Sequence, residues 1–135
     1  MPDRYVVDTG VTSLYFAGDA LAKRYIDEIL TRQVAAYLSE LNIAEFTYIY
    51  AREFGNEGAA TRVGLIRSQP FRIVGIDEEL TTSAARFKSK YSKYSLADCY
   101  LLAIAKSLGA TLLTTDGPLS KNAEVPAILI PLPKP

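Results

Sequence analysis

The sequence has no histidine and no tryptophan, and it contains one cysteine, Cys99, and one methionine in 135 residues. Without histidine there is no Ser-His-Asp triad and no imidazole acid–base pair. A single cysteine excludes an internal disulfide, and zinc, which favours cysteine and histidine, is poorly served. A surplus of charge is missing too. Fifteen basic and fifteen acidic residues give a formal net charge of zero, so no global field draws the chain to nucleic acid or to a membrane. No apolar run approaches the roughly 18 residues needed to cross a bilayer. The opening residues, Met1-Pro2-Asp3-Arg4, lead directly into a strand-like run rather than a signal segment. With the lone cysteine, this makes the cytoplasm the expected location. If the chain is an enzyme, carboxylates are left to carry the chemistry.

What is present is an ordinary globular balance, with 49% hydrophobic and 22% charged residues. The length predicts one domain over residues 1–135. Arg4–Asp8, Val34–Leu38, Phe71–Ile76, Thr111–Thr115 and Ala127–Ile130 read as strands, the first continuous and β-branched like a strand buried on both faces. Thr9-Gly10 reads as a break. Helices are expected from about Asp19, from Asn42 to a stop at Gly55, over about Glu57–Ile66, over Asp77 to about Lys90, and over Ser95–Leu108 with Gly109 as a cap. The last of these is read as the most amphipathic. A proline-rich tail follows. Strands alternating with helices predict an α/β fold, a parallel twisted sheet of four or five strands covered by helices on both faces.

In such a sheet, ligands sit beyond the carboxyl ends of the strands. Asp8 ends the first strand and Asp116 follows the fourth. Glu45 is read into the first turn of the helix after the second strand, and Asp98 into the first turn of the helix that feeds the fourth. Four segments thus aim a carboxylate at one rim. Crowded carboxylates repel, and a divalent cation relieves that cost; an all-oxygen donor set suits magnesium or manganese. Each acid also has a structural explanation. Asn42 with Glu45 and Ser95 with Asp98 both fit a capping box, and Asp8 and Asp116 both fit turns.

The pattern Tyr5-Val6-Val7-Asp8-Thr9, Leu41-Asn42-Ile43-Ala44-Glu45-Phe46, Ser95-Leu96-Ala97-Asp98 and Leu113-Thr114-Thr115-Asp116 resembles the PIN-domain nucleases, in particular the VapC-type toxins of toxin–antitoxin pairs. The resemblance implies a PIN-like parallel sheet, a magnesium or manganese cofactor and endoribonuclease activity. It carries the acidic quartet of that family onto Asp8, Glu45, Asp98 and Asp116, and its small hydroxyl residue onto Thr114. It also implies a cognate antitoxin and a homodimer. Such proteins usually have Ser, Thr or Asn two residues after the first acid; here that place is Gly10, with Thr9, Thr12 or Ser13 as nearby hydroxyls.

Lys88, Lys90, Tyr91 and Lys93 interleave charge with aromatic rings just ahead of Asp98, which suits contact with RNA phosphates and bases; a solvated helix end explains them equally. Phe46, Tyr50 and Phe54 form one stripe, read as core packing or as a dimer face. Cys99 is read as a small buried hydrophobe. Other functions stay open. The chain fits a housekeeping RNA-processing enzyme, or a silent domain that only binds RNA or protein. A phosphoacceptor receiver domain fits less well, because Ile76-Asp77-Glu78-Glu79 reads as a helix start rather than as a solitary acceptor after the third strand.

Overall fold

The computed structural model describes residues 3–133, so the first two residues and the end of the proline-rich tail lie outside it. Five strands form one sheet: β1 (Arg4–Val7), β2 (Ala35–Ser39), β3 (Phe71–Val74), β4 (Thr111–Thr114) and β5 (Ala127–Leu129). Their spatial order is β3-β2-β1-β4-β5, and every pairing is parallel. From β1 the chain winds outward through β2 to β3, then returns to the other side of β1 for β4 and β5. The winding therefore reverses between β1 and β4, and in such sheets ligands bind at that switch point, beyond the carboxyl ends of the strands.

The strands read as apolar runs because both faces are covered. Val6 and Leu112 contribute to a core under α4 (Glu78–Lys90) and α5 (Leu96–Leu108). Their neighbours Tyr5, Val7 and Leu113 face the other way, toward α1 (Thr9–Phe16) and α2 (Ala20–Leu30). Alternation at period 2 thus sends successive side chains into two different cores. A third cluster, Leu38, Ile43, Phe46 and Ile66, seats α3 (Glu40–Ser68) against the sheet. Among the described residues no helix is long and apolar enough to cross a membrane.

The architecture is the α/β arrangement expected, with several local differences. The largest is α1, where a break was expected at Thr9-Gly10. Its glycine and β-branched Thr9, Val11 and Thr12 are poor helix formers, but Val11, Thr12 and Leu14 are buried and the helix packs on α2, α3 and β4. Packing therefore overrides propensity here. α3 begins two residues before Asn42, with Ser39 as its N-cap, and bends at Gly55 (φ 83°, ψ 165°), where the expected two helices meet. α5 is less amphipathic than expected: Leu101 to Ala105 are all buried, because this helix sits centrally over β1 and β4. Gly109 caps it in the left-handed conformation (φ 62°), with Ala110 N donating to Ala105 O at 2.9 Å. The Asp116-Gly117 turn opens a one-turn helix, α6 (Gly117–Ser120), and β3 stops at Val74, two residues short of its expected end.

The capping box of α3 is fully buried. Ser39 Oγ accepts from Asn42 N at 3.3 Å and donates to Asn42 Oδ1 at 2.7 Å, while Ser39 N donates to the same oxygen at 3.0 Å. Ser39→Ala removes the cap and strips a partner from the buried Asn42 amide. Urea unfolding of this variant is expected to show a loss of about 1–2 kcal/mol with an unchanged slope.

Candidate active site

Asp8 directly follows β1 and occupies the N-cap position of α1, yet its carboxylate makes no capping bond to that helix. Asp8 N donates to Leu113 O at 2.9 Å, which holds the residue against β4. The carboxylate turns toward hydroxyls instead. Thr114 Oγ1 donates to Asp8 Oδ2 at 2.7 Å, and Thr9 Oγ1 lies 3.4 Å from Asp8 Oδ1 and 2.9 Å from Glu45 Oε1. A hydroxyl carries one proton, so Thr9 donates to the nearer acceptor, Glu45. Thr12, another hydroxyl considered near Gly10, is placed differently: its Oγ1 donates back to Thr9 O at 2.8 Å.

Glu45 lies in the second turn of α3, not the first, because the box is made by Ser39 and Asn42. The expected Asn42–Glu45 cap is therefore absent, and Glu45 is free to meet Thr9. Asp98 does lie in the first turn of α5, where its backbone N donates to Ser95 Oγ at 3.1 Å. Asp116 caps the short α6, Oδ1 accepting from Leu119 N at 3.0 Å, while its own N–H donates to Thr114 Oγ1 at 3.1 Å. One hydroxyl, that of Thr114, therefore links the first and last acids.

These acids feel one another. Burial pushes the Asp8 carboxyl above its ordinary range, the Thr114 hydrogen bond partly opposes it, and Glu45 and Asp116 push further up. Asp98 is also raised, first by burial, then by Asp8 and, less strongly, Asp116, with Ser95 opposing. Among the described residues no three acidic, cysteine or histidine side chains are gathered tightly enough to hold an ion by themselves. The donor chemistry still fits a hard divalent cation. All four groups are carboxylates, the oxygen donors such a cation takes, and such a cation keeps several of its waters.

The residues considered for RNA contact lie in the last turn of α4 (Lys88, Lys90) and just after it (Tyr91, Lys93), and most are engaged within the protein. Lys88 Nζ donates to Ser92 O at 2.8 Å and Tyr94 O at 2.6 Å. Lys90 and Lys106 pair with Glu124 at 3.0 and 2.8 Å, and the Tyr91 hydroxyl donates to the same carboxylate. Lys106, Tyr91 and Lys90, in that order, pull the Glu124 carboxyl down to about 2. Lys93 is exposed, its Nζ 5.4 Å from the centre of the Tyr94 ring. Cys99 is buried in the core. The stripe of Phe46, Tyr50 and Phe54 runs from core to surface: Phe46 is 1% exposed and Phe54 57%. One contact had no counterpart in the sequence reading, the packing of Thr115 against Gly10. A glycine in a place usually filled by a hydroxyl residue was the available signal.

A carboxyl whose pKa is raised on folding favours the folded state when protonated, and that contribution is lost as the pH rises through the raised value. Asp8 and Asp98 therefore strain the metal-free protein at neutral pH. In EDTA at pH 7, Asp8→Asn is expected to melt a few degrees above the unsubstituted protein, with the difference shrinking as the pH falls into the ordinary carboxylate range. A lower melting temperature for Asp8→Asn at pH 7 contradicts this assignment.

Residues 5–125 match the family model described as PIN domain. No curated protein matches the chain. Among solved structures, the chain is similar to the VapC20 sarcin-ricin loop cleaving toxin of Mycobacterium tuberculosis, at 22% identity and a TM-score of 0.74, over 90% of this chain and 96% of the toxin. It is similar to VapBC2 of Rickettsia felis, bound to a promoter DNA fragment, at 14% identity and a TM-score of 0.77, over 94% and 98% of the two chains. A toxin–antitoxin complex of Klebsiella pneumoniae gives 21% identity and a TM-score of 0.68, over 88% and 92%. The sheet order, the acids framing its switch point and the matched family model lead to one conclusion: this chain belongs to the PIN domain family.

Proposed function

We propose that this chain is a metal-dependent endoribonuclease and the toxin of a toxin–antitoxin pair. The observation that carries this reading is the set of four acids, from four separate segments, brought near one another beyond the carboxyl ends of β1 and β4. Asp8, Glu45, Asp98 and Asp116 are the residues that would hold magnesium or manganese. Bound there, such an ion supplies positive charge for a phosphoryl oxygen and lowers the pKa of a water.

The protein's own groups do the positioning. Thr114 holds Oδ2 of Asp8 and the backbone of Asp116, so neither acid is free to swing from the rim. Thr9 does the same for Glu45. Fixed, partly desolvated carboxylates lose little freedom when a substrate complex forms, which is the advantage of a preorganised site. With no net charge, RNA must be met locally. Lys93, Lys88, Lys90 and Tyr91 lie closest in sequence to the Asp98 side, and Lys93 is the most available of them. The antitoxin and a second copy of the chain are the partners proposed. Tyr48, Ile49, Phe54 and Leu65, each 41–57% exposed on α3, supply the kind of apolar surface a protein partner covers. The solved relatives with this fold include toxin–antitoxin complexes.

The test is cleavage of an end-labelled RNA of mixed structure, with magnesium, manganese or EDTA, by the purified protein and by Asp8→Asn and Asp98→Asn. Cutting that needs the metal and falls at least about 100-fold in both variants is the expected result. A protein that binds no divalent ion by calorimetry and cuts nothing overturns the enzyme and leaves a binding domain. Cleavage confined to precursors of stable RNA, from a gene without a small neighbour encoding an antitoxin, replaces the toxin with an RNA-processing enzyme.

A further inference from the structure

Gly10 is the second residue of α1 and stands two positions beyond Asp8. Its backbone is ordinary helix, since the glycines with positive φ are Gly18, Gly55 and Gly109. Conformation therefore does not require glycine at position 10; space does. A Cβ built there would lie 2.1 Å from Thr115 Oγ1, 3.1 Å from its Cγ2 and 3.2 Å from its Cβ. Turning the threonine about χ1 moves the oxygen, but its Cβ, at 3.2 Å, stays a few tenths of an ångström inside the usual carbon contact of about 3.5–4.0 Å. The Thr115 hydroxyl thus stands in the volume that a side chain at position 10 would fill.

The location of that hydroxyl matters. Thr115 directly follows β4, is half-buried, and lies between Thr114, which is bonded to both Asp8 and Asp116, and Asp116 itself. On its other side is the first turn of the helix that begins at Asp8. It therefore packs the end of β4 onto the segment carrying the first acid, one residue before Asp116 in the chain. We infer that Thr115 is a positioning residue of the acid site, its hydroxyl orienting the water around a bound divalent cation, and that Gly10 is small in order to admit it. This rests on the metal-dependent reading above. Groups that hold a metal's ligands and waters in place typically change metal affinity about 10–100-fold when they are removed.

The test is manganese affinity by calorimetry on the full chain, read together with melting temperature and RNA cleavage. Thr115→Val keeps the shape and removes the hydroxyl; it is expected to bind manganese about 10-fold more weakly at a nearly unchanged melting temperature. Thr115→Ser restores the hydroxyl and is expected to stay within about 3-fold of the unsubstituted protein. Gly10→Ser alone is expected to lose both stability and affinity. Combined with Thr115→Gly it regains most of both, since the new hydroxyl then enters from the α1 side into vacated space. A Thr115→Val protein that binds manganese as tightly as the parent, or a double variant no better than Gly10→Ser, overturns this proposal and leaves the nuclease intact. A parent protein that binds neither manganese nor magnesium and cuts no RNA overturns the nuclease reading, and this proposal with it.

Discussion

The hydrogen bond from Thr114 Oγ1 to Asp8 Oδ2, 2.7 Å long and buried, ties together the two strands between which the winding of the sheet reverses. The same hydroxyl accepts from Asp116 N, so a single oxygen sets both the first and the last acid of the rim. Around it, Asp8 N is bonded to Leu113 O, and Val7 pairs with Leu113 in the β1–β4 register. Asp8 and Asp116 therefore inherit their positions from the most deeply buried part of the sheet.

This arrangement sets local electrostatics against the rest of the molecule. Two carboxyls are raised by burial and by one another, a condition that favours their protonated forms and that a folded protein at neutral pH must tolerate. The opposing contribution comes from cores on both faces of the sheet, where Val6, Val7, Leu112 and Leu113 are 0–1% exposed. A strained acidic rim on a rigid apolar base suits a site that waits for a cation. Other acids of the molecule do have cationic partners: Glu124 gathers Lys90 and Lys106 along with the Tyr91 hydroxyl, and Glu40 pairs with Arg67. The contrast sets the rim apart from the ordinary surface.

Strands with continuous apolar composition, helices with clear stops at Gly55 and Gly109, and the placement of Asp8 and Asp116 at strand ends were all legible in the sequence, because each depends on neighbours close along the chain. Helix α1 was not legible. Its residues have poor helix propensity, and it exists because Val11 and Leu14 find α2 and the sheet. Glu45 was misplaced by one turn for a related reason. Asn42 was paired with the wrong residue, since a box between Ser39 and Asn42 and one between Asn42 and Glu45 look alike until burial of Ser39 decides between them. The lysines before Asp98 looked like a free basic cluster, whereas Glu124, more than thirty residues away from Lys90, takes up two of the groups.

The sequence by itself narrowed the candidate chemistry, because a chain without histidine and with a single cysteine leaves carboxylates as the foremost candidates, and it determined the alternation of strand and helix through local periodicity. Tertiary structure decided which of the acids share a field, which hydroxyl holds which oxygen, and why position 10 carries no side chain. Those outcomes depend on contacts between segments roughly 35 to 105 residues apart, such as Thr9 with Glu45 and Asp8 with Thr114. Distances of that kind are set by how β1 pairs with β4 and how α1 packs on α3, and no local pattern encodes them.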